Sequence, residues 1–317
     1  WYKNKSEDLL YSVPVPAQTG VSNTSVTMNA ASMENSGFEF SATYRNRDHA
    51  LKYDISANVS TLKNKVTSLG IGKDSYISGA YATYVGQEIG QFYGWVYKGI
   101  ARTQEDLDNN AVQQGANVGD CLYEDISGPD GTPDGVIDAY DQTVLGSGLP
   151  KVNFGLSTHL EYKGFDLNIS TYGVLNYHVS DDIYNSLNSC YGYGNKEVGM
   201  LDANRWSEDG TYLSSVPRTY AANNATLAWN DLFSSRKIQN AAYWKIANVE
   251  LGYNFPDKWF GGYVSGVRLY VSAQNLYTFT GYHGYNVDYA GGTFTPGYNF
   301  CSFPSARTFM CGLHFTF

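Results

Sequence analysis

Apolar and polar side chains alternate one by one along much of this chain, the period of a β-strand with two different faces. Phe38, Phe40, Ala42 and Tyr44 fall on one face of the first clear segment, and Glu39, Ser41, Thr43 and Arg45 on the other. Leu51, Tyr53, Ile55, Ala57 and Val59 then alternate with Lys52, Asp54, Ser56, Asn58 and Ser60. The pattern returns in Val152–Tyr162, Phe165–Ser170, Tyr243–Phe255, Val267–Gln274 and Thr308–Phe317. With a less regular first strand near Tyr2–Tyr11, it predicts eight antiparallel spanning strands. Phe92–Ile100 is also strand-like, but a further spanning strand there would break the alternation of direction. It is expected in or above the space the wall encloses.

The connections are unequal. Asn46-Arg47-Asp48-His49 and Lys163-Gly164 are tight turns and Pro256–Gly266 is moderate, whereas the stretches at about 11–36, 61–151, 175–236 and 276–306 are long. Strand direction puts the short turns and Phe317 at one end and every long loop at the other, the arrangement of an outer-membrane barrel. Soluble sandwiches alternate too. Unequal loops, aromatic strand ends and the terminal Phe317 favour the membrane. The fold expected is an all-β, transmembrane antiparallel β-barrel wall.

Composition agrees. Charged residues make up 16% of the chain, against roughly 25% in soluble domains. No apolar run of about 18 residues is present, so the chain has no transmembrane helix. A net charge of −9 argues against nucleic acid as a partner. Cys121, Cys190, Cys301 and Cys311 form no CxxC pair, which weakens zinc and thioredoxin-like readings. No structural disulfide is expected, with Cys121–Cys190 as the alternative. The chain starts at Trp1 without a signal peptide, so an upstream segment is expected.

Ordered motifs then carry a resemblance. They are Val85-Gly86-Gln87-Glu88-Ile89-Gly90 with Phe92-Tyr93-Gly94, then Leu149-Pro150-Lys151, Tyr162-Lys163-Gly164-Phe165-Asp166-Leu167, Asn204-Arg205-Trp206 and Val216-Pro217-Arg218. Tyr243-Trp244-Lys245-Ile246, Val267-Arg268-Leu269-Tyr270-Val271 and Gln274-Asn275-Leu276 come next, before the Phe317 end. Over nearly its whole length the chain resembles the C-terminal half of SusC/RagA-type TonB-dependent transporters of Bacteroidetes. The resemblance implies that residues 1–317 are the C-terminal part of a 22-stranded barrel whose plug domain lies outside this chain. It implies a SusD-like surface lipoprotein as lid, TonB acting through the missing N-terminal region, and oligosaccharide or oligopeptide as substrate. The bacterial outer membrane is the expected location, with loops extracellular and the C-terminus periplasmic.

The sharpest local motif is Asp130–Asp141, which has an EF-hand-like or dockerin-like spacing. Asp130, Thr132 and Asp134 take its first three ligand positions, Val136 a carbonyl position, and Asp138 and Asp141 the last two. Calcium is the expected cofactor there, and a solvated loop with Asp-Gly turns is the alternative. No organic cofactor is indicated. Without a GxSxG, HExxH or P-loop motif the chain does not read as an enzyme. Tyr184, Tyr191 and Tyr193 in one loop and Tyr282, His283, Tyr285 and Asn286 in the last suit ligand or lid contact. Aromatic girdle is their alternative role. Two other readings stay open: a self-contained surface adhesin or structural barrel with calcium-stiffened loops, and a soluble carbohydrate-binding sandwich.

Overall fold

The computed structural model describes residues 1–14, 25–70, 73–190, 195–198, 216–219, 229–260, 264–288 and 291–317. Ten strands build the wall and its extension. They are β1 (Tyr2–Pro14), β2 (Ser25–Gly37), β3 (Glu39–Asn46), β4 (Leu51–Thr61), β5 (Lys63–Ser68), β6 (Val152–Tyr162), β7 (Phe165–Leu175), β8 (Tyr243–Phe255), β9 (Gly266–Thr280) and β10 (Thr308–Thr316). Among the described residues two short helices lie in the loops, α1 (Gln104–Asp108) and α2 (Asp182–Leu187).

Seven strands make one antiparallel sheet in the order β10-β9-β8-β7-β6-β4-β3. The register keeps the two faces apart across all seven. Ile55 opposes Thr158, which opposes Ile169, and Ile169 opposes Val249 and then Ala273 and Phe309. One row along, Asp54, His159, Asn168, Glu250 and Ser272 line up on the other face. The apolar face is bare: Phe40, Ile55, Leu156, Phe165, Leu251, Val271, Phe309 and Leu313 are all exposed. Water would penalise that surface, at about 25 cal/mol per Å² of apolar area. Aromatic rings band its two rims. Tyr44 and Tyr53 (ring centroids 5.8 Å apart), Phe165 and Tyr253 (4.6 Å) and Trp259 mark the turn end. Trp244 stacked on Phe279 (5.2 Å) marks the loop end. Aliphatic side chains between two aromatic belts are the lipid face of a membrane barrel.

The turns arise from local chemistry. Lys163 and Gly164 both have positive φ (49° and 90°), the two-residue turn whose twist matches the flanking strands. Asn254 N–H donates to the Gly164 carbonyl at 2.7 Å, tying this turn to the next strand. Ser265 N–H donates to Thr316, so the chain's last strand ends level with the turns.

The first strand departs from expectation. β1 does not flank β3. It pairs with β2, Tyr2 opposite Gly37, and β2 pairs in turn with β5 in a separate three-stranded sheet. β2 and β5 prolong β3 and β4 past the loop end, so much of the 11–36 stretch is strand rather than loop. Seven strands, not eight, therefore carry the lipid face. Gly37 is required at the junction, because a Cβ there would collide with the Thr61 carbonyl oxygen and lie 2.9 Å from the Tyr2 ring. Gln91–Gly94 and Tyr97–Ile100 belong to smaller sheets, apart from the seven-stranded one, as the alternation of direction predicts.

Candidate functional site

The loops at the far end from the turns form a packed layer with its own small cores. Val174, Tyr177, Val179, Ala241, Tyr243, Tyr282 and Val287 make one, and Cys121, Tyr123 and Ile137 another. His178–Asp181 pairs antiparallel with Gln239–Asn240 and parallel with Tyr298–Asn299, which gathers three distant loops. Asp181 fixes this junction. Its carboxylate accepts from the Tyr282 hydroxyl and from Asn299 Nδ2 (3.2 Å), and caps α2 through Tyr184 N–H at 2.9 Å. Burial, and then the Asp181 carboxylate, push the Tyr282 hydroxyl well above the ordinary tyrosine range.

The last loop also closes over the sheet. Lys245 on β8 is buried and donates to Asp288 at 2.5 Å, and the Tyr172 hydroxyl donates to the same carboxylate at 3.2 Å. Lys245 and Asp288 border a cleft of about 330 Å³ that also takes in Tyr285, Asn286, Thr278 and Arg307. A second cleft, of about 260 Å³, lies over α2 and is bordered by Tyr97, Tyr184, Asn185, Asn188, Arg236 and Lys237.

The aromatic candidates thus separate. Tyr184 stacks on His283 with centroids 5.6 Å apart and planes 15° from parallel. Tyr285 is exposed at the first cleft, where Asn286 accepts from Asp288 N–H at 3.0 Å and turns the loop. Tyr282 is committed to the Asp181 junction. Tyr191 and Tyr193, like the Asn204-Arg205-Trp206 motif, lie outside the described residues.

In the acidic loop the carboxylates hold backbone N–H groups. Asp141 is fully buried and accepts from Ile126 (2.8 Å), Ser127 (3.1 Å) and Asp138 (2.8 Å). Asp138 accepts from Tyr140, and Asp134 from Val136. Asp130 and Thr132 are exposed. The carboxylate that accepts from Gly135 N–H, at 2.7 Å, belongs to Asp125, outside the 130–141 motif. Sequence reading misses Asp125 because Gly128–Pro133 separates it from the Asp-Gly turn. Among the described residues, no three His, Cys, Asp or Glu side chains converge to hold a metal ion.

On the inner face of the sheet the polar residues bond to one another. His159 bridges Asn168 and Glu161 at 2.6 and 2.9 Å, and Lys52 reaches Glu161 at 3.4 Å. This is a polar wall, opposite in character to the lipid face.

No protein-family model matches the chain. Over its whole length it is 31% identical to TonB-dependent receptor P3 of Formosa agariphila and covers 32% of that protein. It is 26% identical, again over 100% of its length, to TonB-dependent receptor SusC of Bacteroides thetaiotaomicron, covering 29% of SusC. In fold it matches a solved RagAB peptide transporter with a TM-score of 0.77 at 22% identity, over 98% of this chain and 32% of that one. The chain thus spans about a third of the length of the curated relatives it matches. Fold and relatives define the class: this is a segment of the β-barrel of a TonB-dependent outer-membrane receptor. Within that class it resembles the SusC/RagA type. Its relatives are receptors and transporters, not enzymes.

Proposed function

We propose that the chain forms wall and loop layer of a nutrient importer that receives oligosaccharides or oligopeptides from a SusD-like lipoprotein lid, with transport driven through TonB. The observation that carries this reading is the division of labour in the sheet. One face suits lipid and the other is polar, and the described parts of the long connections gather at one end around two solvent-accessible clefts. In this reading the loops face outside the cell, and the tight turns and Phe317 face the periplasm. Tyr184, Tyr285 and Asn286 border the clefts and, with His283 stacked on Tyr184, supply ligand or lid contacts. Transport involves no covalent chemistry by these residues. The test has two arms. The protein isolated from outer membranes is expected to bring a surface lipoprotein with it. Its deletion is expected to abolish growth on particular glycans or oligopeptides. A protein isolated without any lipoprotein, whose loss leaves growth unchanged across both nutrient classes, overturns the reading.

Calcium in the acidic loop is a separate reading. The Asp-Gly spacing supports it, and Asp125, Asp134 and Asp138 all bond within the same Gly135–Tyr140 turn. A cation there requires Asp134 and Asp138 to exchange their N–H partners for metal. Calcium titration combined with protease resistance of the loop tests it, and no change at millimolar calcium removes it.

A further inference from the structure

We propose that the cleft over α2 is a subsite for a carboxylate group, read by Arg236; this deepens the importer reading and rests on it. Arg236 sits in a short helical turn, Ser235–Lys237, whose backbone is pinned on both sides. Ser235 N–H donates to the Trp95 carbonyl at 3.0 Å, Tyr97 N–H donates to the Ser235 hydroxyl at 3.0 Å, and Asn185 Nδ2 donates to the Lys237 carbonyl at 3.3 Å. The guanidinium is therefore presented from a fixed base.

Its charge balance singles it out. Arg218, another arginine of the loop layer, is engaged: it grips buried Asp120 with two bonds of 2.6 and 2.8 Å, and Asn230 completes that clamp. Lys237 is engaged as well, donating to the Asp231 carbonyl at 2.5 Å with the Asp231 carboxylate at 3.8 Å. Asp231 in turn accepts from Ser189 and Cys190. Glu197 accepts from Asn188 at 2.9 Å, and Asp181, the cap of α2, is taken up by Tyr282, Asn299 and Tyr184. Arg236 is half-buried and, among the described residues, has no carboxylate partner. A partly buried guanidinium without a counter-charge is costly to leave unpaired. It is matched to a planar two-oxygen anion, which it can grip through two parallel N–H bonds.

The rest of the cleft sets the size of the guest. About 260 Å³ is at the small end for a ligand site. It accommodates one terminal residue or one sugar ring, not a whole oligomer. Tyr97 and Tyr184 supply ring walls, and Asn185 and Asn188 supply amides. Two sources carry the required group: the C-terminus of a peptide, and the acid of a uronate sugar.

Binding measured on the protein in outer-membrane vesicles decides the matter. The probes are a short labelled peptide as free acid and as C-terminal amide, and an oligogalacturonate beside a neutral malto-oligosaccharide. In one of the two arms the acid is expected to bind on the order of tenfold more tightly than its neutral counterpart. The responding arm identifies the source of the carboxylate. Arg236→Gln is expected to erase that preference and Arg236→Lys to restore only part of it, with the barrel at its normal level in the membrane. Added salt is expected to weaken only the acid probe on the unaltered protein, a readout independent of the variants. Equal binding of acid and neutral probes in both arms overturns the subsite while leaving the importer reading intact. So does an undiminished preference in Arg236→Gln. Failure of all four probes to bind overturns both.

Discussion

Arg268 on β9 reaches across the intervening strand to Asp166 on β7, with Nε 3.0 Å and Nη2 2.5 Å from the two carboxylate oxygens. The residue between them is Gly252, where a Cβ would lie 2.5 Å from Arg268 Nη2 and 2.6 Å from Asp166 Oδ2. Glu250 and Asn254, above and below on β8, complete the cluster at 2.7 and 2.9 Å. Three strands are thus clamped through one missing side chain. Gly252→Val is expected to break the clamp and cost on the order of 2 kcal/mol, as is Arg268→Ala, which leaves buried Asp166 uncompensated. Because both remove the same interaction, the double variant should cost little more than either single one. Urea unfolding of the reconstituted barrel measures all three, and full additivity would show that the clamp is not shared.

The two faces of β9 predict opposite tolerances at adjacent positions. Val271 is exposed in the middle of the apolar face, and Ser272 beside it is buried on the polar face with its hydroxyl unpartnered among the described residues. Val271→Arg is expected to destabilise the barrel by about 2–4 kcal/mol in lipid. Ser272→Ala should be neutral or slightly stabilising, since it removes a buried hydroxyl that makes no bond. Unfolding in liposomes reads both, and the reverse order would invert the sheet.

Asp141 ties the acidic loop together through three backbone N–H groups. Asp141→Ala leaves those donors without an acceptor, at a cost of about 1–3 kcal/mol for each one that stays buried. Limited proteolysis should cut the variant between Cys121 and Ser147 far faster than the parent. Measured in chelator, the difference reports those N–H bonds alone. Protection of the parent by calcium alone would instead make a metal part of the loop's normal structure.

The three thiols outside the lipid face, Cys121, Cys190 and Cys301, are expected to fall into two kinds. Burial pushes Cys121 and Cys190 from the usual 9.0 up to about 12, whereas Cys301 is exposed. At pH 8 a water-soluble maleimide should label Cys301 quickly and leave the buried pair until the protein unfolds. Linkage has a definite sign here. An acid whose folded pKa is raised holds its proton longer folded than unfolded, so stability is full below pH 9 and falls as pH rises toward 12. Cys121→Ala or Cys190→Ala should flatten that alkaline decline.

The lipid-bearing sheet was legible because a bilayer imposes strict alternation, and strands such as Leu51–Val59 and Phe165–Ile169 obey it. β2 and β5 were not legible as strands. Beyond the membrane both faces meet water or protein, so Ser32-Met33-Glu34-Asn35-Ser36 carries no periodic signal. The bond from Tyr282 to Asp181 was not legible, because the two lie 101 positions apart in sequence. Lys245–Asp288 and the Arg236 cleft were missed for the same reason. Each is made by loops that meet only after the sheet has set their spacing. Asp125 is the nearest miss: its carboxylate does what a first ligand position does for the Gly135 turn, displaced upstream by an insertion.

The turn at Lys163-Gly164 also bears on the order of assembly. β6 and β7 pair without interruption from Tyr162–Phe165 to Val152–Leu175, so every contact in that hairpin is local and can zip from the turn in microseconds. Its neighbours wait on distant partners: β4 joins β6 by bringing Thr61 to Val152, and β7 joins β8 by bringing Val174 to Tyr243. The hairpin is therefore a template onto which strands from both sides are added. Slowing that one turn, as Gly164→Val should do at its positive φ, would delay insertion of the whole wall while leaving the finished clefts unchanged.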